Sequence, residues 1–112
     1  MKNSEINFKI QLDDNNVPEN ITWEATDKPS DGPEETNAIL ISLWDKEQKN
    51  TMRIDLWSKK MTVDEMKMFY IDSIGGMAES LKGATGDLKM ADEMQQLCHK
   101  LVKMVNEEKK NR

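Results

Sequence analysis

The side chains that could support metal binding or nucleophilic catalysis are few in this chain, and they are unfavourably spaced. The only histidine, His99, directly follows the only cysteine, Cys98. Neighbouring residues on a helix point about 100° apart, so these two side chains cannot bind one ion together or act as a nucleophile and its base. Zinc and thiol-protease sites need further ligands and partners that the chain lacks. We therefore expect a buried Cys98, a partly exposed His99 and no bound metal.

Acidic residues are the next candidates for chemistry. Residues 13–16, Asp-Asp-Asn-Asn, lack the spaced ligands, the central glycine and the distant glutamate of a calcium-binding hand. Residues of this kind bond their own backbone, so we predict a plain turn. Arg53 and Asp55 lie two apart, where an ion pair on one strand face is the simplest interpretation. Acid–base catalysis would need a cleft and a second carboxylate, so we predict no enzyme activity and no cofactor.

Composition and charge exclude several classes of partner. A chain of 112 residues fits one domain, and its 21 acidic and 16 basic residues give a formal net charge of -5. Nucleic acid and anionic lipid both require clustered basic residues, which the chain lacks. No apolar run reaches the roughly 20 residues that cross a bilayer, and the alternating N-terminus has no secretory-signal core. We expect a cytoplasmic protein that binds no nucleic acid and does not insert into a membrane.

The elements that must position any site begin with short strands. Residues 1–26 alternate apolar and polar side chains twice, around Ile6–Leu12 and Ile21–Ala25, which predicts a first hairpin. Residues 27–37 contain two prolines, a glycine and several acids, and we predict a mobile loop there. Residues 38–57 carry the longest strand pattern, which predicts a central hairpin.

The register of the central hairpin decides which side chains share a face. A four-residue loop, Lys46–Lys49, places Asp45 opposite Asn50. One face then carries three aliphatic pairs: Leu43 opposite Met52, Ile41 opposite Ile54, and Ile39 opposite Leu56. The other face carries Trp44 opposite Thr51, Ser42 opposite Arg53, Leu40 opposite Asp55, and Ala38 opposite Trp57. A slip of one residue would exchange the two faces.

Two helices are predicted over residues 62–106. The segment Thr62–Glu65, Thr-Val-Asp-Glu, is a capping box that starts the first helix. Apolar residues at helical spacing follow in both helices, the second of which begins near Asp87. The charged residues 107–112 are predicted to fray.

Glycines and methionines mark special positions in these helices. The pair Gly75-Gly76 in the first helix indicates close approach of another element or a local bend. We predict that Gly83 caps this helix and that Gly86 lies in the connection. We assign Met66, Met77 and Met94 to the core, and regard three others as candidates for surface contact: Met68, Met90 and Met104.

These elements predict an α+β fold, with an antiparallel sheet of about four strands in two hairpins and two C-terminal helices packed on one face. Two helices can hardly cover both faces of a small sheet. The uncovered face would carry tryptophan and arginine, the residues that dominate protein interfaces. Packing of the tryptophans on edge loops, including 27–37, is the alternative. We call this candidate protein-interaction face the Trp face: Leu40, Trp44, Arg53, Asp55 and Trp57.

Three segments of the chain carry a family resemblance. They are ITWEATD (21–27), SLWDKEQKNTMRIDLWSKKMTVDEMKMF (42–69) and ATGDLKMADEM (84–94). In this order and at similar spacing, they resemble the gliding-motility protein GldC family of Bacteroidetes. The resemblance implies a small non-enzymatic accessory to the gliding machinery, which in these bacteria is linked to a dedicated outer-membrane secretion system. It implies no catalytic residues.

We expect an adaptor or stabilising factor that binds a protein of the gliding or secretion machinery through the Trp face. Two alternatives stay open beside this hypothesis. One is a structural homo-oligomer, for instance a dimer, in which a second copy buries that face. The other is a small acidic chaperone for secreted proteins.

Overall fold

β-Strands occupy the first half of the chain and helices the second, in a computed structural model that describes residues 1–29 and 31–112. The elements in order are β1 (Ile6–Leu12), β2 (Pro18–Ala25), β3 (Glu34–Thr36), β4 (Ala38–Trp44), β5 (Thr51–Trp57), α1 (Val63–Thr85) and α2 (Leu88–Lys110). The strands pair in antiparallel fashion, so the predicted α+β class with two C-terminal helices is confirmed. The chain divides into a strand unit, Met1–Met61, and a helical unit, Thr62–Arg112.

The strand unit contains two sheets where the sequence predicts one sheet of about four strands. β1 and β2 form the expected first hairpin, and the short strand β3 adds to the free edge of β2. β3 lies within residues 27–37, where composition predicts a loop; Ser30 of that predicted loop lies outside the described residues. The Glu-Glu-Thr sequence of β3 shows no apolar alternation, because backbone bonds to an existing edge hold it rather than a buried face.

The β4–β5 hairpin is a separate two-stranded sheet with the predicted register. All seven predicted pairs are present, from Trp44 opposite Thr51 to Ala38 opposite Trp57. The Asp45 N–H donates to the Asn50 carbonyl at 2.8 Å. The Asp45 carboxylate accepts from two N–H groups inside the turn, those of residues 47 and 48, at 3.1 and 2.6 Å. These bonds close the four-residue turn, and the turn sets the register.

Ser58 and Lys59 tie this hairpin to the other sheet. Ser58 is 1% exposed. Its N–H donates to the Asn37 carbonyl at 2.7 Å, and its hydroxyl donates to Asn37 Oδ1 at 3.2 Å. The Lys59 N–H donates to the Pro18 carbonyl at 3.1 Å. Because Asn37 stands between β3 and β4 and Pro18 starts β2, this Ser58–Lys59 clasp joins the two sheets.

The helical unit begins with the predicted capping box. The Thr62 hydroxyl accepts from the Glu65 N–H, and the Glu65 carboxylate accepts from the Thr62 N–H, each at 3.1 Å. α1 and α2 then pack on each other around three buried residues: Ile71, Cys98 and Val105. The capping box satisfies N–H groups that a helix start leaves without partners inside the helix.

α1 and α2 run antiparallel, and ion pairs join the start of α1 to the C-terminal end of the chain. Arg112 donates two hydrogen bonds to the Asp64 carboxylate, at 2.6 and 2.8 Å, and the Lys67 ammonium lies 2.6 Å from Glu108. α2 extends to Lys110 and so includes most of residues 107–112, which the sequence predicts to fray. Basic residues in its last turn interact favourably with the helix dipole.

The structure corrects the predicted glycine cap of α1 and shows what surrounds the Gly75-Gly76 pair. The helix continues past Gly83 to Thr85, and Gly86 is its cap, with φ of 71° and its N–H donated to the Lys82 carbonyl at 2.9 Å. Glycine suits this position because other residues rarely adopt a positive φ. At Gly75-Gly76, where the sequence indicates close approach of another element or a local bend, a Cβ at Gly75 would be in ordinary contact with Cys98 Sγ at 3.9 Å and one at Gly76 would meet nothing within 4 Å, so crowding does not require either glycine.

Two methionines of α1 lie on other sides of the helix than the sequence assigns to them. Ile71 is 7% exposed, and Met68 packs against the core, although the sequence places Met68 among the candidates for surface contact. Met77, which the sequence assigns to the core, is 49% exposed. α1 carries apolar side chains on two adjacent faces, so helical spacing alone cannot select the face that meets α2.

Alanine substitutions at two glycines are expected to change stability in opposite directions. Gly76→Ala should raise the free energy of unfolding by about 0.5–1 kcal/mol, because alanine favours a helix and its methyl group meets no neighbour. Gly86→Ala should lower it by about 1–2 kcal/mol, because an L residue is strained at positive φ. Urea unfolding followed by circular dichroism measures both. Changes of the same sign would contradict Gly86 as the cap.

The clasp is expected to contribute measurably to stability. Ser58→Ala removes the hydroxyl that donates to Asn37 Oδ1 and accepts from the Lys60 N–H, and should lower the free energy of unfolding by about 1–2 kcal/mol. Ser80→Ala, at an exposed helix position, is the matched control and should change it by less than about 0.5 kcal/mol. Denaturant titration compares the two variants. Equal effects would mean that the Ser58 hydroxyl does not hold the sheets together.

Candidate interaction surface

The β4–β5 pairing brings the residues of the Trp face together on one side of the hairpin. Leu40 is opposite Asp55, Trp44 is opposite Thr51, and Trp57 is opposite Ala38. Side chains at paired positions of an antiparallel ladder point to the same side, and so do those two apart on one strand. Arg53 and Asp55 therefore occupy the centre of the face, with Trp44 at the turn end and Trp57 at the base.

Arg53 is held in one orientation by side chains of the same face. Its Nη1 donates to Ser42 Oγ at 2.8 Å, its Nη2 to Asp55 Oδ1 at 3.0 Å, and its Nε to Asp55 Oδ2 at a longer 3.4 Å. Both charged side chains stay partly solvated, so the pair adds little to stability. The pair instead fixes the orientation of the Arg53 guanidinium. One flat side of that group and its remaining N–H groups stay available to another molecule.

The two tryptophans differ in exposure, but neither is buried. Trp44 is 69% exposed and Trp57 is 45% exposed. Leu40, between them on the face, is half-buried. Such values do not fit the alternative in which loops cover Trp44. A contiguous patch of exposed aromatic side chains is uncommon on a folded domain and often marks a site of protein–protein interaction.

The opposite face of the hairpin is buried at one end only. Ile39 near the base is 7% exposed, whereas Leu43, Met52 and Ile54 near the turn are 53%, 58% and 49% exposed. The sequence predicts one continuous aliphatic face, and alternation of apolar residues cannot show where burial stops. The turn end of the hairpin therefore exposes apolar side chains on both faces.

A groove of about 300 Å³ lies beside β5. Asp55, Leu56 and Trp57 line it from the strand, and residues 16–18 line it together with Lys59. Sequence reasoning misses this groove, because it depends on the contact between Lys59 and Pro18, which are far apart in the chain.

The helical unit has an apolar groove of about 260 Å³ between α1 and α2. Tyr70 and Met104 line it and are 40% and 48% exposed, and the Lys67–Glu108 ion pair lies beside them. Most of the exposed apolar side chains of the helices recur at seven-residue spacing: Val63, Tyr70, Met77, Met90, Leu97 and Met104. The sequence predicts surface positions for Met90 and Met104 alone. This groove has no tryptophan and no oriented arginine, so it ranks below the Trp face.

In the acidic turn at residues 13–16, both carboxylate oxygens of Asp13 already accept hydrogen bonds from the protein. Asp13 Oδ1 accepts from the N–H groups of Asn15 at 2.8 Å and Val17 at 3.0 Å, and Oδ2 accepts from the Lys59 ammonium at 3.1 Å. The Val17 and Asn15 N–H groups, followed by Lys59, hold the pKa of the Asp13 carboxyl below its usual range. In return, Asp13 above all raises the pKa of Lys59. The carboxylate serves the plain turn that the sequence predicts.

The two reactive side chains of the helical unit lie in different surroundings. Cys98 is buried, as predicted, with its thiol 3.6 Å from the Ile71 carbonyl oxygen, while His99 is exposed. Across residues 1–29 and 31–112, no group of three or more His, Cys, Asp or Glu side chains is arranged to hold a metal ion. In the same described part of the chain, neither helix combines the length and apolar character needed to cross a membrane.

Comparison with known proteins gives one match. A family model described as "Gliding motility-associated protein GldC-like" matches residues 18–107, from the first residue of β2 to near the end of α2. The matched range includes the whole Trp face. No curated protein and no solved structure matches the chain.

The Asp13 turn is expected to make stability depend on pH in the acid range. The folded-state pKa is lowered, so the contribution of the carboxylate is complete above the unfolded-state pKa and is lost as the pH falls through the folded one, below about 4. Asp13→Asn keeps the side-chain acceptor but not the charge. Its free energy of unfolding should therefore fall less than that of the unaltered protein between about pH 5 and pH 2.

Urea titrations at several pH values measure this difference. Asp14→Asn removes one carboxylate from the same turn and is the matched control, expected to keep the acid dependence of the unaltered protein more closely. If Asp13→Asn and the unaltered protein lost stability in parallel on acidification, the bonds at Asp13 would not be the cause.

Proposed function

The chain belongs to the GldC-like family of gliding motility-associated proteins, and from this premise we propose that it is a non-enzymatic accessory protein. In this proposal it acts as an adaptor or stabilising factor that binds a protein of the gliding or secretion machinery through the Trp face. The observation that carries the proposal is the exposed Trp44 on the same hairpin face as an oriented Arg53.

The composition of the Trp face supports tight local binding. Tryptophan and arginine are the residues whose removal most often weakens protein interfaces. Trp44 and Trp57 offer large apolar areas that a partner can cover. Arg53 loses little conformational freedom on binding, because Ser42 and Asp55 already hold it.

The Trp face would be the centre of a larger contact. A stable interface covers about 800 Å² on each partner, which is more than five side chains supply. Thr51 and the charged turn Lys46–Lys49 lie at the turn end of the face and would provide part of a polar rim. Rim charges act on association rate more than on affinity, and a net charge of -5 favours approach to a basic surface.

The proposal assigns no reaction and no cofactor to the chain. Its support is the separation of the two reactive side chains, since Cys98 is buried while His99 is exposed. A cytoplasmic location, expected from the sequence, belongs to the same proposal.

A structural homo-oligomer is the second candidate. The exposed aliphatic side chains at the turn end of the hairpin, Leu43, Met52 and Ile54, favour it, because a second copy could cover them. A small acidic chaperone has only size and charge in its support.

Replacing Trp44 and Trp57 together with serine is expected to abolish partner binding. The two substitutions remove the apolar anchors of the face and should weaken the complex by at least about a hundredfold. Affinity capture from gliding cells with quantitative mass spectrometry identifies the partner, and titration of that partner measures the loss.

The matched control is the double variant Leu43→Ser, Met52→Ser, which removes equally exposed apolar side chains from the opposite face of the same hairpin. It is expected to keep the partner. Circular dichroism confirms that both variants fold. If the control variant lost the partner and the tryptophan variant kept it, the partner would bind the face that carries Leu43 and Met52, and the proposal would be wrong.

A further inference from the structure

β5 has a long backbone edge that pairs with no strand among the described residues. Hydrogen-bonded pairs mark both ends of the hairpin: the Asp45 N–H donates to Asn50, and the Ser58 N–H donates to Asn37. Hydrogen-bonded and non-hydrogen-bonded pairs alternate along an antiparallel ladder. The backbone N–H and C=O groups of four β5 residues therefore point away from β4: Thr51, Arg53, Asp55 and Trp57.

The sequence of this edge is complementary to itself. When two copies of TMRIDLW run antiparallel about a two-fold axis at Ile54, compatible residues meet: Thr51 with Trp57, Met52 with Leu56, Arg53 with Asp55, and Ile54 with its own copy. The backbone agrees with this register, because residues with outward-pointing groups pair with one another. Self-complementarity of one patch is what a two-fold interface requires.

We propose that two copies of the chain associate through their β5 edges about this axis. The product is one antiparallel sheet of four strands across both copies, in the order β4-β5-β5-β4. Strand addition at a free edge supplies main-chain hydrogen bonds, and side-chain pairing sets the register. Charged residues on edge strands usually prevent such pairing. Here the two charges on the edge attract their counterparts.

Electrostatic complementarity lies at the centre of this interface. Arg53 of each copy is opposite Asp55 of the second copy, in addition to the 3.0 Å pair that it forms within its own chain. Opposite charges at cross-strand positions stabilise a sheet, and like charges destabilise it. The two-fold axis therefore turns one ion pair into a network of four alternating charges.

Apolar contacts form on the other side of the shared sheet. Met52 and Ile54 are 58% and 49% exposed in the single chain. In the proposed register Ile54 meets Ile54 of the second copy, and Met52 meets Leu56 of the second copy. The aliphatic side chains then form one stripe across both chains, and removal of their area from water favours association.

The groove beside β5 lies at the two ends of this interface. In the proposed register Thr51 of the second copy is opposite Trp57, and Asp55, Leu56 and Trp57 line the groove of about 300 Å³ together with residues 16–18 and Lys59. The Lys59 N–H already donates to the Pro18 carbonyl at 3.1 Å, so the paired edge ends at Trp57.

The outer edge of β4 is a weaker candidate for the same association. A two-fold register about Ile41 would place Leu40 opposite Ser42 and Ala38 opposite Trp44, with no pairing of charges. Use of the β5 edge leaves Trp44 and Leu40 uncovered. The association shares Arg53, Asp55 and Trp57 with the Trp face but leaves Trp44 free, so a substitution at Trp44 separates it from the partner binding proposed for that face.

Charge reversal followed by mixing tests this association. Arg53→Asp places four carboxylates at the interface, and Asp55→Arg places four guanidinium groups there. Each variant alone should raise the dimer dissociation constant by more than about a hundredfold. An equimolar mixture of the two should form a heterodimer, because each acidic position then faces a basic one. Sedimentation velocity over about a hundredfold dilution measures all three samples.

The control variant Lys9→Asp makes the same basic-to-acidic change as Arg53→Asp, at an exposed position of β1, and should leave the dimer intact.

In the unaltered protein, hydrogen exchange of the Arg53 and Asp55 amides, which β4 does not bond, should slow as protein concentration rises. A mixture of reversal variants that stays monomeric overturns the proposal. So does exchange at these two amides that is independent of concentration, a result that needs no variant to fold. The Trp44→Ser variant should still dimerise, so failure of one proposal is separable from failure of the other.

Discussion

The pairing of β4 with β5 is the constraint on which the surface chemistry of the strand unit depends. Asp45 sets that pairing, because its carboxylate accepts from two N–H groups in the turn while its own N–H reaches Asn50. If β5 slipped by one residue, Arg53 and Asp55 would move to the side of Ile39 and Ile41. The same slip would turn the outward-pointing backbone groups of β5 toward β4. Asp45 thus determines which side chains form the Trp face and also which backbone groups of β5 are free to pair.

The two units reach their stability by different means. The clasp and the sheet ladders in the strand unit are made of backbone hydrogen bonds around few buried side chains, of which Ile21 is 1% exposed. The helical unit buries Ile71 and Val105 together with three small side chains that let the two helices pack closely: Ala78, Ala91 and Cys98. The capping box satisfies N–H groups at the start of α1, whereas the exposed Asp64–Arg112 pair adds little to stability.

Features that depend on neighbours in the chain could be predicted from the sequence. The β4–β5 register follows from the Asp45 turn, and the start of α1 follows from Thr62 and Glu65. The placement of the five Trp-face residues on one side of the hairpin follows from that register and from the alternation along each strand. Features that depend on distant segments could not. β3 shows no apolar alternation because backbone pairing with the edge of β2 holds it in place. The groove beside β5 forms only because Lys59 contacts Pro18, which is distant in the chain.

The helix end illustrates a second limit of sequence reasoning. Gly83 and Gly86 are both suitable caps by residue type, and the intervening residues decide between them. The Thr85 hydroxyl donates to the Leu81 carbonyl at 2.7 Å, and the helix continues through that turn until Gly86 adopts a positive φ. Burial on the hairpin is limited in the same way, because the aliphatic pattern of β4 and β5 is uniform while its exposure is not.

The clasp at Ser58 also bears on the chain entropy of folding. Asn37 and Ser58 close the base of a hairpin whose own contacts are local, so that hairpin brings the two residues together without a long search. Once it has formed, the path from Pro18 to Lys59 runs through the closed base and is about half as long as the full chain between them. Loop-closure cost grows with the logarithm of length, and halving the loop lowers it by about 0.6 kcal/mol. The short bridge at Asn37 therefore makes the most distant backbone contact of the strand unit easier to form.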